Sequence, residues 1–285
     1  MVSDRLEART PLTWWECVGF SLAAAALCVF CLFPLCWIVS TSLKTLPETF
    51  LTPPSWIPAH FEFANYLRIW TIQSFGRYFL NSLIVSSAAT GTSIVLAGLA
   101  GYGFSRFRFR FARTLMILVL VAQMFPGLVL LIPYFTLASQ ARLLNTYSAL
   151  IIVYTSFALP FCIWLMKGFF DSIPSELDQA ALVDGCTHLG AFTRVILPLA
   201  LPGVVATAIF SFLLAWNEYL FAVVLTSKER MYLVTVGIAS TVGQFRIMWN
   251  ELMAGAVLAT IPTIILYALL ERHLVRGLSA GAVKG

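Results

Sequence analysis

The sequence predicts an all-α polytopic membrane protein with six transmembrane helices, and three observations carry that expectation. The 285 residues are 60% hydrophobic and 11% charged, where soluble domains carry about 25% charged residues, and the mean hydropathy is +0.88. Six runs are free of Asp, Glu, Lys and Arg, each long enough to supply the roughly 20 helical residues that cross a hydrocarbon core of about 30 Å. The basic residues lie between those runs rather than in one patch with aromatics, which argues against nucleic acid as a partner and for the positive-inside bias of a membrane protein.

A polar amino-terminal tail, residues 1–15, precedes the first run, Cys17 to Leu43. That run is too long for a signal-peptide core and shows no convincing cleavage site, so it reads as a retained helix. The following stretch, "KTLPETFLTPPSWIPAHFEFANYLRIW", reads as an irregular, interface-lying outer loop from its prolines and tryptophans. The second run, Tyr78 to Ser105, carries small residues at Ala89, Ser93, Ala97 and Gly101, a ladder that lets another helix approach closely, either within the bundle or from a partner. The third and fourth runs, Thr114 to Ala141 and Leu143 to Met166, contain Pro126, Pro133 and Pro160, which make kinks or broken helices expected.

A segment of mixed polarity, about residues 167–198, comes next. Glu176 and Asp178 follow Pro174 and place acids in the first turn of a short helix, Gly185 breaks it, and "CTHLGAF" starts a second one. The fifth run, Val195 to Asn217, opens near Pro198 and continues past Glu218 to Ser227; the sixth is Leu252 to Leu270. The six spans occupy residues 16–272, and a second tail occupies 273–285. With both termini in the cytoplasm, 11 of the 18 Lys and Arg residues fall on the inner side, mainly through "RFRFRFAR".

Enzyme chemistry has little to stand on. Five of the six cysteines sit in or at the edge of apolar runs, which suits packing rather than disulfides. His60, His188 and His273 show no metal spacing. "GLSAG", Gly277 to Gly281, has the spacing of a nucleophile elbow without the helix that would present its serine. No phosphate-loop motif precedes any lysine.

Four polar residues are candidates for the pathway or its gate. Asn81, Gln123 and Asn217 could meet a polar solute or bond helix to helix, and Glu218 is an acid in an otherwise spanning run, either functional or close to the outer interface beside Trp216.

The most specific pattern is Gln179, Ala180, Ala181, Gly185, Val195, Leu197 and Pro198. Its spacing resembles the EAA loop of permease subunits in binding-protein-dependent ABC importers: Glu-Ala-Ala, three residues, Gly, nine residues, Ile, one residue, Leu-Pro. Gln179 replaces the family's glutamate and keeps hydrogen bonding while losing the charge, which neighbouring Glu176, Asp178 or Asp184 could supply. The fragments "LNSLIVSS", "AGYGFSRFRF", "LLNT", "AWNEYLFA" and "GLSAGAVKG" extend the resemblance over most of the chain, to the carbohydrate (maltose-type) permeases on the six-span side of the heterodimer.

That resemblance implies a cytoplasmic coupling loop with Gln179, Ala180, Ala181, Asp184, Gly185, His188, Leu197 and Pro198 against the ATPases, and a tail contact through Gly281 and Lys284. It implies a second permease subunit, two ATPase subunits that carry ATP and Mg, an extracytoplasmic sugar-binding protein and a sugar substrate, in the lipid of a bacterial cytoplasmic membrane, with no cofactor on this chain. The rival is a self-contained secondary transporter or channel for a small polar solute, which calls for paired intramembrane charges or inverted repeats. A non-transporting membrane scaffold is a third reading.

Overall fold

The computed structural model describes residues 13–71, 74–242 and 247–281, with side chains up to residue 269. Among these, regular structure is helical apart from an isolated antiparallel bridge between Val242 and Ile247. Four helices are long and apolar enough to cross a bilayer: α1 (Trp14–Ser42), α3 (Phe75–Arg106), α6 (Tyr147–Asp171) and the Trp249–Leu269 part of the last helix. A short α2 (Ala64–Thr71) precedes α3.

The third predicted span is broken. Helices α4 (Ala112–Ala122) and α5 (Gly127–Gln140) meet at 95°, and Pro126 stands in the break, where a residue without N–H interrupts the ladder. The fifth also differs from the expected run. The chain after α6 forms α7 (Glu176–Val183), α8 (His188–Ala191), a π turn over Phe192–Ile196 and a short α9 (Leu197–Leu199). It bends by 80° at Ala200 and enters α10 (Leu201–Asn217). Pro198 and Pro202 each lack the N–H that a continuous helix would need, which accounts for the altered register and the bend.

Past Asn217 the chain does not continue to Ser227 as one helix. It stops at Glu218, starts α11 (Leu220–Leu225), and passes through α12 (Val234–Ser240) to α13 (Trp249–Gly281). The "GLSAG" stretch is thus backbone of the last turns of α13.

Helices α3 and α6 form the central pair. The small-residue ladder faces α6: Ala89, Ser93 and Ala97 are fully buried, and a Cβ on Gly101 would lie 3.0 Å from the Lys167 backbone nitrogen. The ladder is therefore packing inside this chain. Helix α1 is the opposite case, with no buried residue in its apolar window. It packs along α13 and is fixed at its carboxyl end, where the Asn65 amide donates to the carbonyls of Ser42 and Lys44 (both 2.9 Å) and its oxygen accepts from Asn250 (2.8 Å).

Candidate coupling site

The segment between α6 and α10 folds into a knob at one end of the bundle. Helix α7 turns Asp178, Ala181 and Leu182 inward, the i, i+3, i+4 stripe of an amphipathic helix. The Asp178 carboxylate is buried, accepts a hydrogen bond from the Tyr102 hydroxyl (2.6 Å) and pairs with the Arg106 guanidinium (2.8 Å), which also donates to the Ile173 carbonyl (2.9 Å). Both partners belong to the last turns of α3. The knob is thereby pinned to a spanning helix.

The turn that follows is a Schellman cap. Gly185 N–H donates to the Leu182 carbonyl (3.1 Å) and Cys186 N–H to the Ala181 carbonyl (2.9 Å), with Gly185 at φ +85°. Nothing lies near the space a side chain would fill, but an L-residue there is strained by about 1–2 kcal/mol. Substituting Gly185 consequently tests the turn before it tests any contact. The Thr187 hydroxyl accepts from Gly190 N–H (3.1 Å) and starts α8. The His188 ring packs edge-on to Phe107 (5.7 Å), while Phe192 and Phe170 close on Tyr102 at 4.8 and 5.8 Å.

Of the residues predicted for coupling, Gln179, Ala180, Asp184, Gly185, His188 and Pro198 are exposed, Leu197 is half-buried, and Ala181 is buried against the bundle. Gln179 lines a polar cleft with Arg106, Arg108, Asp171 and Glu176. The sequence offers Glu176, Asp178 and Asp184 as acids that could supply the charge Gln179 lacks, and the fold selects Asp178; its basic partner and one apolar residue escaped the sequence reading. Asp178 makes the ion pair that Gln179 cannot, and its partner lies 72 residues away. Val183, 88% exposed, is an apolar side chain on the outer face of α7 beside Asp184. The only sequence signal for the partners of Asp178 was that Tyr102 and Arg106 lie in the fragment "AGYGFSRFRF".

The pathway candidates separate. The buried Asn81 amide donates to the carbonyls of Arg230 (3.0 Å) and Tyr232 (2.8 Å) and accepts from the Tyr147 hydroxyl (2.6 Å). With Tyr78 on Glu229 (2.9 Å) and Ser82 accepting from Val234 N–H (2.8 Å), it pins the segment after α11 to α3. Gln123 is exposed at the bend between α4 and α5, and Asn217 is exposed at the end of α10, its amide donating to the Leu213 carbonyl (2.8 Å). Gly281 is the last residue of α13, and the Lys284 assignment lies outside the described residues.

Glu218 occupies the break between α10 and α11. Its carboxylate accepts from the backbone N–H groups of Phe221 (3.0 Å) and Ala222 (3.2 Å), and its carbonyl accepts from the Thr235 hydroxyl (2.8 Å). A run read as one helix is therefore two, with the acid capping the second. Removing the cap with Glu218→Ala is expected to cost about 1 kcal/mol, measured as a lowered melting temperature in detergent, and Glu218→Gln is expected to lose less because its amide oxygen still accepts. Equal losses in the two variants would show that the charge matters more than the cap.

The sequence family described as binding-protein-dependent transport system inner membrane component matches residues 93–280. Over 264 residues the chain is 36% identical to the sulfoquinovosyl glycerol transport system permease protein SmoH of Agrobacterium fabrum, covering 93% of each. It is 35% identical to the trehalose/maltose transport system permease protein MalG of Thermococcus litoralis, covering 93% of this chain and 95% of that one. Among solved structures, a bacterial ABC transporter involved in the import of the acidic polysaccharide alginate contains a chain of the same fold, with a TM-score of 0.79 at 24% identity over 92% of this chain and 99% of that one. The spans, the pinned knob and these matches together make the chain a multi-pass inner membrane protein that belongs to the family of inner membrane components of binding-protein-dependent transport systems.

Proposed function

We propose that this chain is a permease subunit of an ATP-driven carbohydrate importer, and that the α7–α8 knob receives the stroke of separate ATPase subunits. The observation that carries this reading is the Asp178–Arg106–Tyr102 pin. Motion imposed on the exposed ridge of Gln179, Ala180, Val183 and Asp184 passes to α3 as a rigid body instead of being absorbed in a loop. The sugars named for SmoH and MalG support a carbohydrate substrate, and the 11 inner-side bases support a knob and both termini in the cytoplasm.

In this reading the chain forms half of the translocation path beside a second permease subunit, and an extracytoplasmic binding protein delivers the sugar to the opposite end. ATP and Mg reside on the two ATPase subunits. His188, Leu197 and Pro198 frame the knob, and Gly281 and Lys284 reach the ATPases as a second contact. Gln123 and Asn217, exposed in the isolated chain, are the better candidates for the path, since Asn81 ties α3 to the segment after α11 and Glu218 caps α11.

Val183→Asp tests the proposal, because the side chain has almost no contacts to lose and a surface change of this kind costs within about 0.5 kcal/mol. The expected result in proteoliposomes of the assembled complex is unchanged thermal stability with ATP-dependent uptake reduced at least about tenfold, the effect of roughly 1.4 kcal/mol at the contact. Uptake at the level of the unmodified complex would overturn the assignment of the knob.

A further inference from the structure

At the opposite end of the bundle, a pocket of about 240 Å³ lies between α1, the segment after it and the start of α13, lined by Trp37, Thr41, Lys44, Glu48, Trp249 and Met253 among others. It is below the roughly 300–1,000 Å³ of pockets that hold drug-sized ligands, so it has room for a single ring.

Its polar groups are buried and only partly used. Lys44 is 2% exposed; its ammonium donates to the Ser55 carbonyl (2.5 Å) and sits 4.4 Å from the centre of the Trp37 ring. An ammonium has three donors, so two remain. Glu48 is 8% exposed, and the Ser55 hydroxyl (3.1 Å) and Ala59 N–H (2.8 Å) both reach one of its oxygens, with no donor to the other among the described residues. Among the described residues, Lys44 and Glu48 form no ion pair with each other. The Thr41 hydroxyl, in a residue 6% exposed, has no hydrogen-bond partner among the described residues. A buried polar group left unpaired is costly, and here the Thr41 hydroxyl faces the same cavity as Lys44 and Glu48, whose hydrogen-bonding capacity is only partly used.

We infer that this pocket binds one neutral pyranose ring. Lys44 only donates and the open Glu48 oxygen only accepts, so the ligand must offer acceptors and donors side by side, which hydroxyl groups do. An anion would meet Glu48 and a cation would meet Lys44. Trp249 and Met253 supply apolar surface for the carbon faces of the ring. The pocket deepens the carbohydrate reading and rests on it for the source of the sugar, placing a weak sugar contact at the end of the chain where the substrate arrives.

The test uses the assembled complex in lipid nanodiscs, with methyl α-D-glucopyranoside as the probe, sodium glucuronate as the charged comparison, and saturation-transfer NMR as the readout. Saturable binding of the glucoside, tighter than glucuronate, is expected. Thr41→Val has nearly the same shape and breaks no internal hydrogen bond, so it is expected to weaken glucoside binding about three- to tenfold with the melting temperature unchanged. Trp249→Leu is expected to weaken it as well. Absent binding, tighter binding of glucuronate, or binding that survives both substitutions would overturn the site. Loss of ATP-dependent sugar uptake by the unmodified complex would strike the carbohydrate reading itself, whereas unaltered binding in Thr41→Val with normal uptake strikes only the pocket.

Discussion

Asp178→Ala is expected to lower stability by about 2–4 kcal/mol and to abolish coupling between ATP hydrolysis and uptake. The carboxylate is nearly buried, with about a tenth of each side chain in the pair exposed, and removing one member of such a pair strands the other. Arg106 would keep the Ile173 carbonyl and the Ser105 hydroxyl as partners, and Tyr102 would lose its acceptor. Because this pair joins α7 to α3, the damage falls on the joint rather than on a remote part of the core.

A double substitution separates the two effects. Asp178→Leu with Arg106→Met removes both charges, and replacing a buried pair by apolar groups is often close to neutral for stability. The double variant should therefore melt nearer to the unmodified protein than Asp178→Ala does, while ATPase stimulation stays low because the directional bonds are gone. If Asp178→Ala melts normally and transports normally, the knob is not held by this pair.

The second large effect is expected at Gly101. A Cβ there would sit 3.0 Å from both the Lys167 backbone nitrogen and the Met166 Cβ, and 3.3 Å from the Ile163 carbonyl oxygen. Backbone atoms cannot rotate aside, so Gly101→Leu must separate α3 from α6 where Gly101 faces the α6 backbone. Overpacking typically costs about 1–3 kcal/mol and occasionally more; the upper end is expected here, seen as poor recovery from the membrane and a lowered melting temperature. Gly103→Ala is the control, since nothing lies within 4 Å of its added carbon, and it should behave as the unmodified chain. Matching stability of Gly101→Leu and Gly103→Ala would remove the argument for close helix approach.

The spans that were legible in the sequence are those whose burial demands only composition. Helices α3, α6 and α13 follow directly from long apolar runs, and the ladder from Ala89 to Gly101 announced a close neighbour without saying which. The glycine at 185 was legible as a turn because few other residues adopt its backbone angles. A search for runs without charge could not register direction. The 95° bend near Pro126, where the proline announced a break, and the 80° bend at Ala200 leave hydropathy unchanged, and Glu218 looked like an acid inside a helix when it stands between two. The Asp178–Arg106 pair and the buried Lys44 and Glu48 depend on which loops fold over which helices. In the outer loop, the reading of irregular chain at an interface passed over two charged side chains that the fold takes out of solvent.

The knot of Asn65 and Asn250 has a consequence for the order in which the chain is made. Helix α1 is made long before α13 and buries none of its apolar window against the other described residues. Its carboxyl end is held by Asn65, whose side-chain oxygen is satisfied by Asn250 at the start of α13. More than 180 residues must be synthesised and inserted between the two halves of that bond, which are separated by 185 positions. Until then Asn65 holds the end of α1 with its own side-chain oxygen still waiting for a donor, and α13 completes the joint that α1 begins.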